Sequence, residues 1–205
     1  MRNSLSSYCL CAYVWLLSSS LSAMEVTLLD DRNHPLENAV VMIILPDSQQ
    51  AREGEKFEQN PNHQQSLVMD QINRQFSPFV LPVYKGQWVV FPNNDRVRHH
   101  VYSFSRAKRF EIKLYAGIPS SPVQFDTSGI VVLGCNIHDA MLAYIYVSES
   151  PLFAKSDEYG KVNLETGGLN PKELLVWHPI LGNTSEGKRF QVPDSSSIQI
   201  HLGTE

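Results

Sequence analysis

Cys135, His138 and Met141 stand at Cys-x2-His-x2-Met spacing in the run Gly134-Cys135-Asn136-Ile137-His138-Asp139-Ala140-Met141. One short turn can aim a thiolate, an imidazole and a thioether at a common point without help from distant parts of the chain. Thiolate and thioether are soft ligands suited to Cu(I), and imidazole serves either oxidation state. A trigonal His2Cys set with a weak axial Met is an arrangement for copper electron transfer. Zinc would have little use for the Met. A second imidazole is still required, and the run Phe91-Pro92-Asn93-Asn94-Asp95-Arg96-Val97-Arg98-His99-His100-Val101 offers two. Adjacent side chains on a strand point to opposite faces, so one backbone course cannot aim both rings at the same ion. A lone Cys is ordinarily a small buried hydrophobe. Three ligand types within one turn, with β-like runs on both sides, favour the metal.

These two segments resemble the cupredoxins, the small blue-copper proteins. The loop has the Cys-x2-His-x2-Met spacing of amicyanin, and the upstream segment is similar to plastocyanin's Phe-x-Asn-Asn-x4-His-Asn-Val without a gap. The resemblance implies one type 1 copper held by His99, Cys135, His138 and Met141, with His100 in the place of the family's Asn. Ile137 stands where relatives often have Pro, and Ala140 where a larger residue is common. The same loop, taken with His99-His100-Val101-Tyr102-Ser103-Phe104-Ser105, is similar to bacterial exported proteins labelled methylamine-utilisation proteins, a label that does not establish a pathway.

The 205 residues allow one or two domains. Arg2 is the only charge before an apolar stretch from Leu10 to Leu17, and Leu21-Ser22-Ala23 suits cleavage. Residues 1–23 are therefore expected to be a signal peptide, too short in its apolar part to span a bilayer, and the mature protein periplasmic or otherwise exported. Its removal takes Cys9 and Cys11 with it and leaves Cys135 as a single thiol. An unpaired thiol in an oxidising compartment is a liability unless buried or metal-bound. Losing Arg2 makes the net charge of −4 one unit more negative. No basic field for nucleic acid is present.

The elements that must position the ligands read as all-β. Val89, Val90 and Phe91 precede one ligand segment, and strands flank the other at Ile130 to Leu133 and Leu142 to Val147. Both of these flanking strands are apolar on both faces, which implies that something covers the outer face. Residues 47–65 are polar and expected to be an exposed linker with a solvated His63. The N-terminal pattern Val26-x-Leu28-x-Asp30 with Pro35-Leu36-x-x-Ala39-Val40-Val41, and the later Asp157-x-x-Gly160, resemble the transthyretin-like regulatory modules of carboxypeptidases. The expected division is a cupredoxin-like Greek-key β-sandwich over residues 66–148, inserted into a second small transthyretin-like β-sandwich made of residues 24–46 plus 150–205.

An exported one-electron carrier with a transient redox protein partner is the leading expectation. Copper trafficking is an alternative, as is a non-redox envelope interaction or carbohydrate-binding module on the same scaffold. An enzyme is not expected: no nucleophile with a base, paired carboxylates or phosphate loop is visible, and a binuclear copper site would need a second cysteine.

Overall fold

A computed structural model describes residues 23–119, 121–182, 186–193, 195 and 197–203. The expected signal segment falls outside them except for Ala23. Runs rich in β-branched and aromatic residues, bounded by Gly, Pro, Asn and Asp, become strands. β1 (Ala23–Leu29) and β2 (Val40–Ile43) come first, then helix α1 (Asp47–Gln59). After it run β3 (Leu67–Val68), β4 (Asp70–Ile72), β5 (Gln75–Ser77), β6 (Val80–Tyr84), β7 (Trp88–Val90) and β8 (His99–Phe104). β9 (Arg109–Tyr115), β10 (Val123–Gln124), β11 (Gly129–Gly134) and β12 (Leu142–Ser148) complete this stretch. β13 (Phe153–Lys155), β14 (Lys161–Glu165), β15 (Glu173–Trp177), β16 (Lys188–Gln191) and β17 (Ser197–His201) follow.

β6, β12, β11, β8 and β9 lie side by side in that order, and β10, β7 and β3 form a smaller sheet. One core joins these strands and includes the fully buried Met69, Phe91, Phe125, Leu133 and Ile145. β1 and β2 do not pair with that stretch. β1 pairs antiparallel with β14 and parallel with β17. β2 lies between β13 and β15, with β16 beyond. Val26, Leu28, Val41, Ile43, Leu174 and Val176 belong to a second core shared by these two sheets.

Strand alternation makes a third core between the other two. On β12, Ala143, Ile145 and Val147 belong to the first core, while Tyr144 and Tyr146 face the opposite way. On β2 and β15, Val41 and Val176 turn to the second core while Val40 and Trp177 join the two tyrosines, together with Val80. The Trp177 ring lies 5.4 Å from that of Tyr144 and 5.6 Å from that of Tyr146, centroid to centroid. Ile130 and Val132 pack against this cluster, so the outer apolar face of β11 and β12 is covered by residues from β2 and β15.

Residues 47–65 differ from the expected linker, for α1 occupies most of them and the chain is mostly β with one α-helix among the described residues. The segment is rich in Gln, Ala, Arg, Glu and Lys, which are good helix formers. Because it is polar nearly all round, its periodicity carries almost no signal. One aromatic holds it: the Phe57 ring is stacked on His63 at 3.8 Å and lies 4.7 Å from that of Tyr84 and 6.5 Å from that of Phe153. Gly54 is buried here, and the Tyr84 hydroxyl approaches so closely that an added Cβ would stand 2.6 Å from it. His63 is thus half-buried rather than solvated. No helix of the described residues is long and apolar enough to cross a membrane.

Trp177 is fully buried between two tyrosines from the other sheet. Truncating such a side chain typically costs about 3–5 kcal/mol through lost transfer energy and the cavity left behind. Trp177→Ala is expected to lower unfolding free energy by about that much in guanidinium denaturation, with Trp177→Phe losing much less. An unchanged midpoint in Trp177→Ala would show that the contact contributes little to holding the two halves together.

Candidate metal centre

His99 is the first residue of β8, and alternation along that strand decides which imidazole enters the interior. His99, Val101 and Ser103 are buried, whereas His100, Tyr102 and Phe104 share the other face. A bulge sits at this end of the strand: His99 is opposite Tyr115 on β9, but Val101 is opposite Ile112. Bulges re-aim side chains and are common beside sites. On β11 the inward series Val131 and Leu133 continues to Cys135, which is 3% exposed. The pair Gly134 and Leu142 ties β11 to β12, and a bond from Met141 N–H to His138 C=O, 2.9 Å, closes the turn between them.

These constraints bring the donors of His99, Cys135 and His138 together. Cys135 Sγ lies 3.8 Å from His99 Nδ1 and 3.9 Å from His138 Nδ1, and the two Nδ1 atoms are 3.1 Å apart. A metal held at about 2.0–2.1 Å from imidazole and about 2.3 Å from thiolate places such donors about 3.3–3.8 Å apart at tetrahedral to trigonal angles. The observed separations fall within a few tenths of an ångström of that range, so one ion could be held with little side-chain movement. Met141, 2% exposed, is buried in the same side-chain cluster as Cys135. His99 is fully buried and His138 only partly so.

Asp95 fixes which nitrogen of His99 faces the others. Its Oδ2 lies 3.0 Å from His99 Nε2. A carboxylate only accepts hydrogen bonds, so Nε2 carries the proton and Nδ1 offers its lone pair to the cluster. The hydrogen bond from His99 first, and then those from the backbone N–H groups of Arg74 and Arg96, hold the Asp95 carboxyl down at about 2. Arg74 reaches it because Asn73 and Arg74 both have positive φ, 54° and 59°, in the two-residue turn between β4 and β5. Such mirror-image turns match the twist of a hairpin.

Asn93 holds the loop from below. Its side chain is 3% exposed, donates to the carbonyls of Val97 and Tyr115 at 3.0 and 2.8 Å, and accepts from Asp95 N–H at 3.0 Å. A second brace is steric. A Cβ on Gly134 would stand 2.8 Å from the Tyr102 ring carbon Cζ and hydroxyl, so only glycine lets that ring lie over the strand leading to Cys135.

His100, the other imidazole of the pair, is away from the cluster: its Nε2 lies 2.9 Å from Glu111 Oε1. Around the partly open His138, Ile137 and Leu142 are 50% and 42% exposed. The sequence alone does not single out Asp95 or Tyr102. The Asp95-x3-His99 spacing is plain in the sequence, but spacing alone does not say that a loop folds back to make the bond.

Partners that orient a ligating imidazole typically contribute 10- to 100-fold in metal affinity. Asp95→Ala is therefore expected to weaken metal binding by about that factor in competition titrations with a chelator, while the secondary structure is retained. An affinity equal to that of the unchanged chain would remove Asp95 from the site. Gly134→Ala is expected to displace the Tyr102 ring and reduce stability by about 1–3 kcal/mol, measured by thermal or chemical unfolding.

No protein-family model and no curated protein sequence matches the chain. Among solved structures it is similar to the Cu-containing nitrite reductase of Thermus scotoductus SA-01, at 22% identity and a TM-score of 0.39 over 41% of this chain. The aligned part spans only 22% of that enzyme's length. A purple cupredoxin from Nitrosopumilus maritimus is similar at 19% identity and a TM-score of 0.36, covering 40% of this chain and all of that one. A reduced amicyanin carrying a single substitution is similar at 15% identity and a TM-score of 0.37, over 45% of this chain and 89% of that one. The chain thus has a distant structural likeness to cupredoxins over about two fifths of its length.

Proposed function

We propose that this chain is an exported type 1 copper protein that carries single electrons, with His99, Cys135, His138 and Met141 as the ligands. The observation that carries the reading is the convergence of Cys135 Sγ with the Nδ1 atoms of His99 and His138, all within 4.8 Å of one another. When bound, copper supplies a Cu(I)/Cu(II) couple, and the mixture of soft sulfur and imidazole donors suits both states. The residues divide the remaining tasks. Asp95 keeps the His99 ring in one tautomer and one orientation. The burial of His99, Cys135 and Met141 excludes water, and the partly open His138 gives the centre its contact with solvent.

Four side-chain donors committed to one ion leave little room for a substrate, which supports carriage over turnover. Ile137 and Leu142 beside His138 would form the apolar part of a small, transient contact with a redox protein partner. The Greek-key cupredoxin-like unit is proposed to span residues 66–148. The pairing of β1 and β2 with β13, β14, β15 and β17 supports its insertion into a transthyretin-like sandwich of residues 24–46 and 150–205. Periplasmic location rests on the N-terminal sequence pattern.

Absorption spectroscopy and voltammetry on the copper-loaded mature protein test this. A strong visible thiolate-to-copper band, abolished by Cys135→Ala and accompanied by a reversible one-electron wave, is expected. His99→Ala should destroy the band, while His100→Ala should largely preserve it; the reverse order would assign the ligand to the wrong residue. Tight Cu(I) binding without reversible electron transfer would indicate cargo, and failure to take up copper would leave only a scaffold.

A further inference from the structure

Trp177, packed against the two tyrosines of β12, is followed at once by His178, whose ring ties two segments of the chain together. β15 ends at Trp177, and Pro179–Leu181 forms one turn of 3-10 helix. Pro179 has no N–H, so Ile180 carries the first open donor of that turn. His178 Nδ1 accepts from it at 3.1 Å, and the His178 carbonyl accepts from Leu181 N–H at 3.0 Å. The other ring nitrogen, Nε2, lies 3.0 Å from the carbonyl of Glu37, in the loop that leads into β2. That loop is held from the β13 side by Ser156, which donates to the Leu36 carbonyl and accepts from Ala39 N–H.

These contacts allow the ring one protonation state. A backbone carbonyl only accepts and a backbone N–H only donates, so Nε2 carries the proton and Nδ1 stays bare. A second proton, on Nδ1, would meet the Ile180 N–H donor to donor, and one of the two groups would have to move away. Burial of the ring holds its proton affinity below the ordinary 6.5, and the Glu37 carbonyl opposes this in part. The charged side chains on the adjoining elements leave the ring alone. On the loop before β2, Glu37 is exposed and His34 is engaged with Asp30 at 3.1 Å. Lys155 of β13 donates to Asn38 Oδ1, and Lys188 of β16, in register with Val176, donates to the Gly203 carbonyl. Glu186 stands just ahead of β16, and among the described residues none of these groups makes an ion pair with His178.

We infer that His178 is a pH-sensitive clasp: neutral, it fastens the Pro179–Leu181 turn to the loop ahead of β2, and protonated on both nitrogens it lets the turn go. Release reaches in two directions. Leu181 packs against the second core, and Trp177, one residue before the clasp, belongs to the third. Letting go of the turn frees Leu181 from the edge of one core and leaves Trp177 at an unfastened strand end. The folded chain resists the second proton, whereas the unfolded chain takes it up at the ordinary 6.5. The clasp therefore contributes its full stabilisation above 6.5 and loses it as pH falls from there through the lower, folded midpoint. Within that window the folding equilibrium weakens by about tenfold per pH unit. His178 is no part of the cluster of His99, Cys135 and His138, and the clasp works whether or not a metal is bound there.

Nitrogen NMR of the isotope-labelled mature protein reads the ring directly. At neutral pH the His178 proton is expected on Nε2, and the titration midpoint below 6.5. As pH falls from 6.5 toward that midpoint, the Ile180 amide should lose protection against hydrogen exchange by about tenfold per pH unit, corrected for the intrinsic rate. The Val176 amide, inside β15, should keep its own. His178→Asn retains an acceptor for Ile180 and has nothing to titrate, so the urea midpoint of this variant should fall less on acidification than that of the unchanged chain. A proton on Nδ1, a midpoint at or above 6.5, or level protection of Ile180 across that window would overturn the inference. An equal acid loss in His178→Asn would overturn it too. Should that variant fail to fold, the ring and amide measurements on the unchanged chain decide by themselves.

Discussion

Alternation of side chains across β8 and β11 is the constraint on which both the convergence of His99 with Cys135 and the assembly of the molecule rest. These strands are neighbours in one sheet, joined at Gly134 and Tyr102. The same backbone that sends His99 and Cys135 to the first core sends Tyr102 and Val132 to the opposite face. A slip of one residue would exchange the two sets. It would bring His100 into the interior and expel His99 from Asp95. The first core therefore specifies the register that the donors need: Val101, Val131, Leu133 and Ile145 are all fully buried, and none could be turned to solvent without large loss.

The convergence of His99, Cys135 and His138 is legible in the sequence because the order of these residues along the chain already encodes their meeting. Cys135 and His138 need only a turn, and His99 needs only the adjacency of two strands. The apolar residues on both faces of β11 and β12 also announced a cover, and Val40, Trp177 and their neighbours provide it. What could not be read depends on contacts between segments distant in sequence. Asp95 reads as one more loop acid until the turn at Arg74 and the side chain of Asn93 position it. α1 was hidden for a different reason. Its one decisive apolar residue, Phe57, gives no periodicity, and the partners that make it matter come from β6 and β13.

The covering of the outer face changes how stiff the ligand-bearing sheet is. An antiparallel sheet with one wet face can bend by letting surface side chains slide through water. Here β12 has Ile145 and Val147 against one core and Tyr144 and Tyr146 against another, so displacing the strand disturbs packing on both sides. α1 adds a tie of its own, since Phe57 meets Tyr84 of β6 and Phe153 of β13. The second set of sheets thus acts mechanically on the loop from Cys135 to Met141 through the strand that begins at Leu142.

Rigidity of this kind is what an electron-transfer ligand set requires, because rearrangement on changing oxidation state slows transfer. The donors in this chain are restrained at different distances from the centre. Asp95 restrains His99 directly, Asn93 holds the loop that carries Asp95, and Gly134 admits the Tyr102 ring beside the strand that carries Cys135. Among the described residues His138 has no comparable brace beyond the turn hydrogen bond at its carbonyl, and it is also the least buried of the three. The most restrained donors are therefore those furthest from solvent, and the least restrained is the one nearest to it. That gradient lets the interior hold its geometry while leaving the exposed edge of the cluster freer to adjust.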